Sequence, residues 1–116
     1  MLNLSKTKVI HTSGKRKRAV ARATLKKGTG SIKDKNQSLD SYEPRLARLK
    51  IMEPLILAGD LSDSINISVN VFGGGIMAQS EAARLAIAKA IVQYSKDDKL
   101  KKRYEEYDKH LLVADI

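Results

Sequence analysis

The chain has 116 residues, 42% of them hydrophobic and 30% charged, which suits one compact domain with a buried core. It contains no cysteine, which excludes disulfides, zinc ribbons and thiolate chemistry, and no apolar run approaches the roughly 20 residues that span a bilayer. The net charge is +9, and because residues 1–35 carry +10 while residues 36–116 carry −1, we expect one side to contact a polyanion, with nucleic acid ahead of an anionic membrane. The polar N-terminus does not resemble a signal peptide, so the expected location is the cytoplasm.

The N-terminal part of the chain predicts three short strands. Residues 8–12 predict a strand that enters a turn at Ser13-Gly14, and the alternation in residues 18–27 predicts a second strand. The second strand places alanines and a leucine on one face and a polar, cationic set on the other: Arg18, Arg22, Thr24 and Lys26. The turn at residues 28–30 leads to a third strand at residues 31–33, which we expect to continue the first two as a meander.

The middle of the chain predicts two helices and one strand. Pro44 and Pro54 each suit the first turn of a helix, so we expect two short helices over residues 43–51 and 53–58. Residues 64–72 alternate aliphatic with polar side chains, which predicts the clearest strand of the chain.

Two further helices close the sequence. The first is predicted over residues 78–95 by one continuous apolar stripe, which consists of Ala83, Ala86, Ile87, Ala90, Ile91 and Tyr94. The second is predicted over residues 97–107. The order of elements predicts an α+β fold with a single domain over residues 1–116, in which a sheet carries helices on one side. The cationic face of the second strand and the Asn/Ser face of residues 64–72 would then be uncovered by helix.

The segment Gly14-Lys15-Arg16-Lys17-Arg18 places four consecutive cations behind a glycine at a turn between strands. Lysine and arginine neutralise phosphates and release counterions, which supplies most of the sequence-independent affinity for RNA. The alternative is a solvated turn that only aids solubility. The segment is not a P-loop, because no Ser or Thr follows Lys15 and a strand rather than a helix comes next.

The run Gly73-Gly74-Gly75 lies between a predicted strand and a predicted helix. Glycines let backbone N–H groups approach an anion, and the start of a helix adds a partial positive charge. Gln79 and Arg84 follow in the first turns, where they would add hydrogen bonds to phosphate or ribose. The alternative is a plain strand–helix connection. A nucleotide phosphate would also fit, so this is the one feature that favours an enzyme.

Candidates for catalysis are few. His11 and His110 stand alone, and Glu43 and Glu53 each precede a proline at a helix start, where the helix dipole explains them. Asp97-Asp98 also suits a helix start, and no group of residues has metal-ligand spacing. We therefore expect no catalytic residue, no metal and no cofactor. With one Phe and four Tyr, we expect no aromatic platform for stacked bases, so contacts should go to RNA backbone and shape.

Four blocks carry a resemblance to a known family. The block from His11 to Ala23 (HTSGKRKRAVARA) and the block from Gly73 to Ile91, which contains GGGIMAQSEAAR, resemble ribosomal protein S9 of the small subunit. Residues 49–57 (LKIMEPLIL) and 107–113 (YDKHLLV) resemble its archaeal and eukaryotic branch. The likeness covers about residues 9 to 115, and its most specific part is the triple glycine with the spaced glutamine, alanines and lysine.

The resemblance implies the fold of the second domain of ribosomal protein S5, a mixed sheet with a left-handed crossover, which is the rare hand. It also implies a structural role in the head of the small subunit, against the 3′ major domain of the rRNA and beside neighbouring head proteins, with no cofactor, small-molecule substrate or membrane. Together, the residues and the resemblance predict rRNA contact at Thr12, Ser13, Gly14, Lys15, Arg16, Lys17, Arg18, Arg22, Lys26, Gly73, Gly74, Gly75, Gln79 and Arg84.

One feature of this branch does not match the sequence. Its members continue into a long basic tail that reaches the tRNA in the peptidyl site, whereas this sequence stops at Asp115-Ile116 without that tail, which leaves a tRNA contact in doubt.

Two other functions compete with an rRNA-binding role. A phosphotransferase needs a Mg²⁺ carboxylate near the triple glycine, where only Glu81 is close, and a membrane-surface role needs an amphipathic cationic helix.

Overall fold

The computed structural model describes residues 9–34, 37–38, 45–96 and 98–107. Within these residues the chain forms five strands, three α-helices and one 3₁₀ helix. They follow in the order β1 (Val9–Arg16), β2 (Ala19–Lys27), β3 (Ile32–Asp34), β4 (Gln37–Ser38), α1 (Arg45–Ala58), the 3₁₀ helix (Gly59–Ser64), β5 (Ile65–Phe72), α2 (Ile76–Ser95) and α3 (Asp98–Tyr107).

The strands form one mixed sheet in the order β1-β2-β5-β3-β4. The pairs β1/β2, β2/β5 and β3/β4 are antiparallel, whereas β3 and β5 are parallel. The predicted α+β fold with a mixed sheet is confirmed. The likeness to ribosomal protein S5 and the left-handed crossover stay predictions.

The predicted meander is wrong, because β3 pairs with β5 and not with β2. The connection from β2 crosses the start of β5, where the N–H of Gly28 donates to the carbonyl of Ser64 at 2.8 Å. The Asn66 side-chain oxygen accepts the N–H groups of Thr29 and Ser31, each at 2.9 Å. The glycine-containing turn therefore passes across the start of β5. The strand β3 then pairs with β5, which comes much later in the sequence than a meander allows.

The first strand runs further than predicted. It continues through Ser13-Gly14 to Arg16, which pairs with Ala19 across a two-residue turn. Gly14 therefore lies inside the strand, where a Cβ would overlap the Ala82 carbonyl oxygen of α2. The absence of a side chain lets β1 approach α2, so packing rather than turn geometry requires this glycine.

The two predicted short helices are one helix, α1, with Pro54 inside it. Proline removes one hydrogen bond of the helix, which normally favours a break. Here the buried residues Ala47, Ile51, Pro54 and Leu55 form one stripe on both sides of the proline. Continuous burial of that stripe outweighs the lost hydrogen bond, and the predicted break between residues 51 and 53 was wrong.

The core lies between the sheet and α2, with α1 against the other side of α2. The inward faces of β2 and β5 are buried, as the alternation predicted, and α2 is buried almost all round because it is covered by both the sheet and α1. The predicted strand at residues 64–72 and the predicted helices at 78–95 and 97–107 are confirmed. Within the described residues, no helix is long and apolar enough to cross a membrane.

Candidate nucleic-acid interface

The sheet face that points away from the helices, called here the open face, is polar and cationic. Its register places Ser13, Arg22 and Asn70 side by side on three neighbouring strands. The row next to it holds His11, Thr24 and Ser68. Exposed cations on this face are Lys15, Arg22, Lys26 and Lys33. None of the described side chains on the open face is acidic, so this face carries a net positive charge.

A shallow groove of about 440 Å³ crosses the open face. It is lined by His11, Thr12, Ser13, Arg22, Ala23, Thr24 and Asn70. On the open face, Arg22 supplies a guanidinium, Asn70 an amide, and Ser13 and Thr24 hydroxyls, and the Thr24 hydroxyl lies 3.3 Å from Nδ1 of His11. Such groups donate hydrogen bonds to phosphate and sugar oxygens, which is how proteins fix their position on RNA backbone.

The two segments predicted to bind RNA meet at one end of the sheet. Val20 pairs with Phe72, which brings the hairpin turn between β1 and β2 (Lys17 and Arg18) beside the glycine turn (residues 73–75). A Cβ on Gly73 would overlap the carbonyl oxygen of Arg18, and one on Gly74 would lie 3.1 Å from the Ala19 nitrogen. The two turns are therefore in direct backbone contact.

The glycine turn leads directly into α2. Gly75 is the N-cap, and no described side chain forms a capping hydrogen bond there. The Gln79 amide nitrogen instead donates to the carbonyl of Gly73 at 3.1 Å, which closes the turn. The N-terminus of a helix carries a partial positive charge and N–H groups without helical partners. It lies beside the cations of the hairpin turn, so the positive charge of both turns is concentrated at one end of the sheet.

Arg16 projects to the helix side of β1. Its Nε lies 2.6 Å from a carboxylate oxygen of Glu81, and the other oxygen of that carboxylate is 3.6 Å from Nζ of Lys50. Glu81 thus joins β1, α1 and α2 through two ion pairs. It is also the one carboxylate that a phosphotransferase would have used, and the structure gives it a positioning role between two cations.

Besides Arg16, three further residues predicted to contact RNA pack against the helices. Arg84 is only 9% exposed and forms an ion pair with Glu53, with 2.6 Å between Nε and Oε1. The Thr12 hydroxyl donates to the carbonyl of Ala86 at 2.7 Å. Gly14 is buried against the same helix. Each of these three positions therefore contributes to the packing of the interior, and RNA contact through them stays a prediction.

The sequence interpretation overlooked two groups of residues. The exposed Phe72 belongs to the polar face of the strand predicted at residues 64–72, so alternation alone could have placed it there.

A second groove of about 520 Å³ lies at the edge of β1, lined by His11, Thr12, Ser13, Lys89, Val92, Gln93 and Lys101. Lys89 donates to the carbonyl of Ser13 at 3.1 Å. Nothing in the local sequence places these helix residues beside β1.

The chain is similar to known ribosomal proteins. The family model described as ribosomal protein S9/S16 matches residues 14–116. A protein of Methanothrix thermoacetophila named small ribosomal subunit protein uS9 is 48% identical over 108 residues, which cover 93% of this chain and 82% of that protein. Proteins with the same name from Desulfurococcus amylolyticus and Methanococcus maripaludis are 44% and 45% identical, over 95% and 93% of this chain and 79% and 81% of their own lengths.

A family match over most of the chain, together with relatives near half identity, decides between the functions that the sequence left open. Ribosomal proteins of this family are structural components, which removes the phosphotransferase. The chain therefore belongs to the ribosomal protein S9/S16 family, and its role is structural rather than enzymatic.

Proposed function

We propose that the chain is a constituent of the small subunit of the cytoplasmic ribosome and that it binds the 3′ major domain of the rRNA, in the head. There it stabilises the packing of the rRNA beside neighbouring head proteins and supports translation near the peptidyl-tRNA site. Its chemistry is charge neutralisation and the positioning of backbone, without any bond made or broken.

The contact between the hairpin turn and the glycine turn carries this proposal. Arg18 supplies a cation at the same point where Gly73 and Gly74 bring backbone close and where α2 begins. Lysine and arginine give affinity for phosphate, and the backbone N–H groups at the start of a helix point toward a bound phosphate. A phosphate placed at this end would meet three attractive features within one surface.

The open face extends the contact along the sheet. Ser13, Arg22 and Asn70 lie in one row, and Lys26 and Lys33 lie exposed on the same face. Phosphate and sugar contacts fix orientation, whereas sequence is read from base edges. We therefore propose that the open face holds RNA by its shape and its backbone.

The experiment measures the salt dependence of binding to a transcript of the 3′ major domain. With six to ten phosphate contacts, affinity should fall roughly 10³- to 10⁵-fold between 50 and 200 mM salt. The double variant Lys15→Gln, Arg18→Gln should weaken binding and lower the slope of log affinity against log salt by about two.

A matched control removes the same charge elsewhere. Lys99→Gln with Lys102→Gln takes two exposed lysines from α3, on the helix side of the molecule, and should leave the slope nearly unchanged. A transcript of the 5′ domain should bind more weakly than that of the 3′ major domain. Binding that is insensitive to salt, or equal effects of the two double variants, would contradict the proposed interface.

A further inference from the structure

Phe72 is an exposed aromatic ring on the cationic open face. It is the last residue of β5 and 48% exposed, and it is the one phenylalanine in a chain without tryptophan. The central carbon of the Arg22 guanidinium lies 5.7 Å from the centre of its ring, within cation–π distance. The ring is thus held against a cation and still presents about half of its surface.

Other large apolar side chains are exposed too, namely Val9, Leu46, Leu49, Ile56 and Ile76. Phe72 differs from these in three respects. Its side chain is aromatic, it lies in a row with Lys15 and Val20, and it directly precedes the glycine turn. Scattered aliphatic side chains on a surface need no explanation, but an exposed ring beside an arginine on a cationic face has a specific use in RNA binding.

We propose that Phe72 stacks on an unpaired nucleobase of the rRNA, an inference that rests on the proposed function. Unpaired bases in loops and bulges stack on aromatic rings and on arginine planes, and Phe72 with Arg22 offers both. Lys15 is two strands away, about 10 Å at ordinary strand spacing. The glycine turn follows Phe72 directly, so the backbone of a stacked nucleotide lies among the groups that attract phosphate.

Stacking and charge neutralisation have different signatures. Removing a stacking ring lowers affinity without releasing fewer counterions, so the salt slope stays constant. Removing a lysine lowers the slope. Phe72→Leu keeps an apolar side chain of similar size at an exposed position, so the fold should be retained, which circular dichroism checks.

The test titrates two variants with the 3′ major domain transcript. We expect Phe72→Leu to weaken binding about fivefold to a hundredfold with an unchanged salt slope. In Phe72→Trp the new indole is the one tryptophan of the chain, and stacking on a base should quench its fluorescence while affinity is kept. A matched control, Ile76→Ala, removes a nearby exposed aliphatic side chain and should change affinity less than Phe72→Leu.

The results separate this inference from the proposed function. If the wild type binds with the expected salt dependence but Phe72→Leu binds equally well and the indole is not quenched, the stacking inference is overturned and the rRNA interface stands. If the wild type does not bind the transcript, both fail. If Phe72→Leu keeps its rRNA affinity but loses binding to a neighbouring protein of the head, the ring is a protein contact and the inference is overturned.

Discussion

Gly73 lies so close to the carbonyl oxygen of Arg18 that a Cβ on the glycine would overlap that oxygen. This contact joins the hairpin turn of β1 and β2 to the start of α2. The cations of one turn and the backbone N–H groups of the other therefore have a fixed relative position, and the same packing that closes the end of the sheet shapes the proposed phosphate site.

Replacement of Gly73 by alanine should disturb both stability and binding. The residue has φ +80°, a conformation that alanine rarely adopts, and its Cβ would displace Arg18. We expect a loss of about 1–3 kcal/mol in the free energy of unfolding, measured by urea denaturation, together with weaker rRNA binding. Gly75→Ala is the matched control, because a Cβ at Gly75 has no atom within 4 Å, and its effect should stay within about 0.5 kcal/mol.

Gly14→Ala tests whether this glycine packs or binds. A Cβ would overlap the Ala82 carbonyl oxygen and lie 2.8 Å from the Ala86 nitrogen, so β1 and α2 must separate. We expect a loss of about 1–3 kcal/mol in stability, with rRNA affinity of the folded variant close to that of the wild type. Unchanged stability with lost affinity would instead support a direct RNA contact at Gly14.

Arg84→Met should destabilise the protein without weakening its charge-dependent binding. The substitution removes the partner of the Glu53 carboxylate between α1 and α2. We expect about 1–3 kcal/mol of lost stability and the wild-type salt slope in rRNA titrations. Arg18→Met is the comparison, since it should lower the slope and leave the stability nearly unchanged. A lower slope for Arg84→Met would show that Arg84 reaches phosphate after all.

Tyr104 gives the protein a stability term that depends on alkaline pH. Burial raises the pKa of its phenol, and its hydroxyl donates to the Pro54 carbonyl at 2.8 Å. The folded state keeps this proton more tightly than the unfolded chain, whose phenol titrates near pH 10. Stability from this group is therefore complete below about pH 10 and falls as pH rises above it, because the unfolded state then releases the proton first.

Tyr104→Phe isolates that term. The variant should lose about 0.5–1.5 kcal/mol at neutral pH through the missing hydrogen bond. Denaturation followed across alkaline pH should show the wild type losing stability faster than the variant above about pH 10. Parallel curves would mean that the phenol of Tyr104 is not buried in its neutral form.

The sequence predicted the elements in which apolar residues recur with a clear strand or helix period. It missed the features that depend on residues distant in the sequence. Alternation located β5, and the apolar stripe located α2. The pairing of β3 could not be predicted locally, because its partner strand β5 comes later in the sequence. Pro54 lies inside a helix because its neighbours in α1 are buried against α2. Gly14 illustrates the same limit within the site, since its place beside the cations predicted a turn whereas tertiary packing puts it inside β1.

The sequence also could not predict in which direction individual side chains of the basic segment point. Arg16 and Arg18 are close in sequence, yet Arg16 pairs with Glu81 on α2 while Arg18 lies exposed in the turn. The difference arises because Arg16 is the last residue of β1, whereas Arg18 lies beyond the strand in the two-residue turn. The resemblance gave the right family from the two glycine-containing blocks, and the structure then distinguished residues that support the fold from those on the proposed interface.

Crosslinking of the intact small subunit, with mapping of each protein–RNA adduct, tests the central claim most directly. We expect adducts at Lys15, Lys17 and Arg18 and around the glycine turn, all to rRNA of the head. Adducts confined to residues 99–103 on α3, or none with rRNA, would contradict it, because the open face and its two joined turns would then not be the surface that binds RNA.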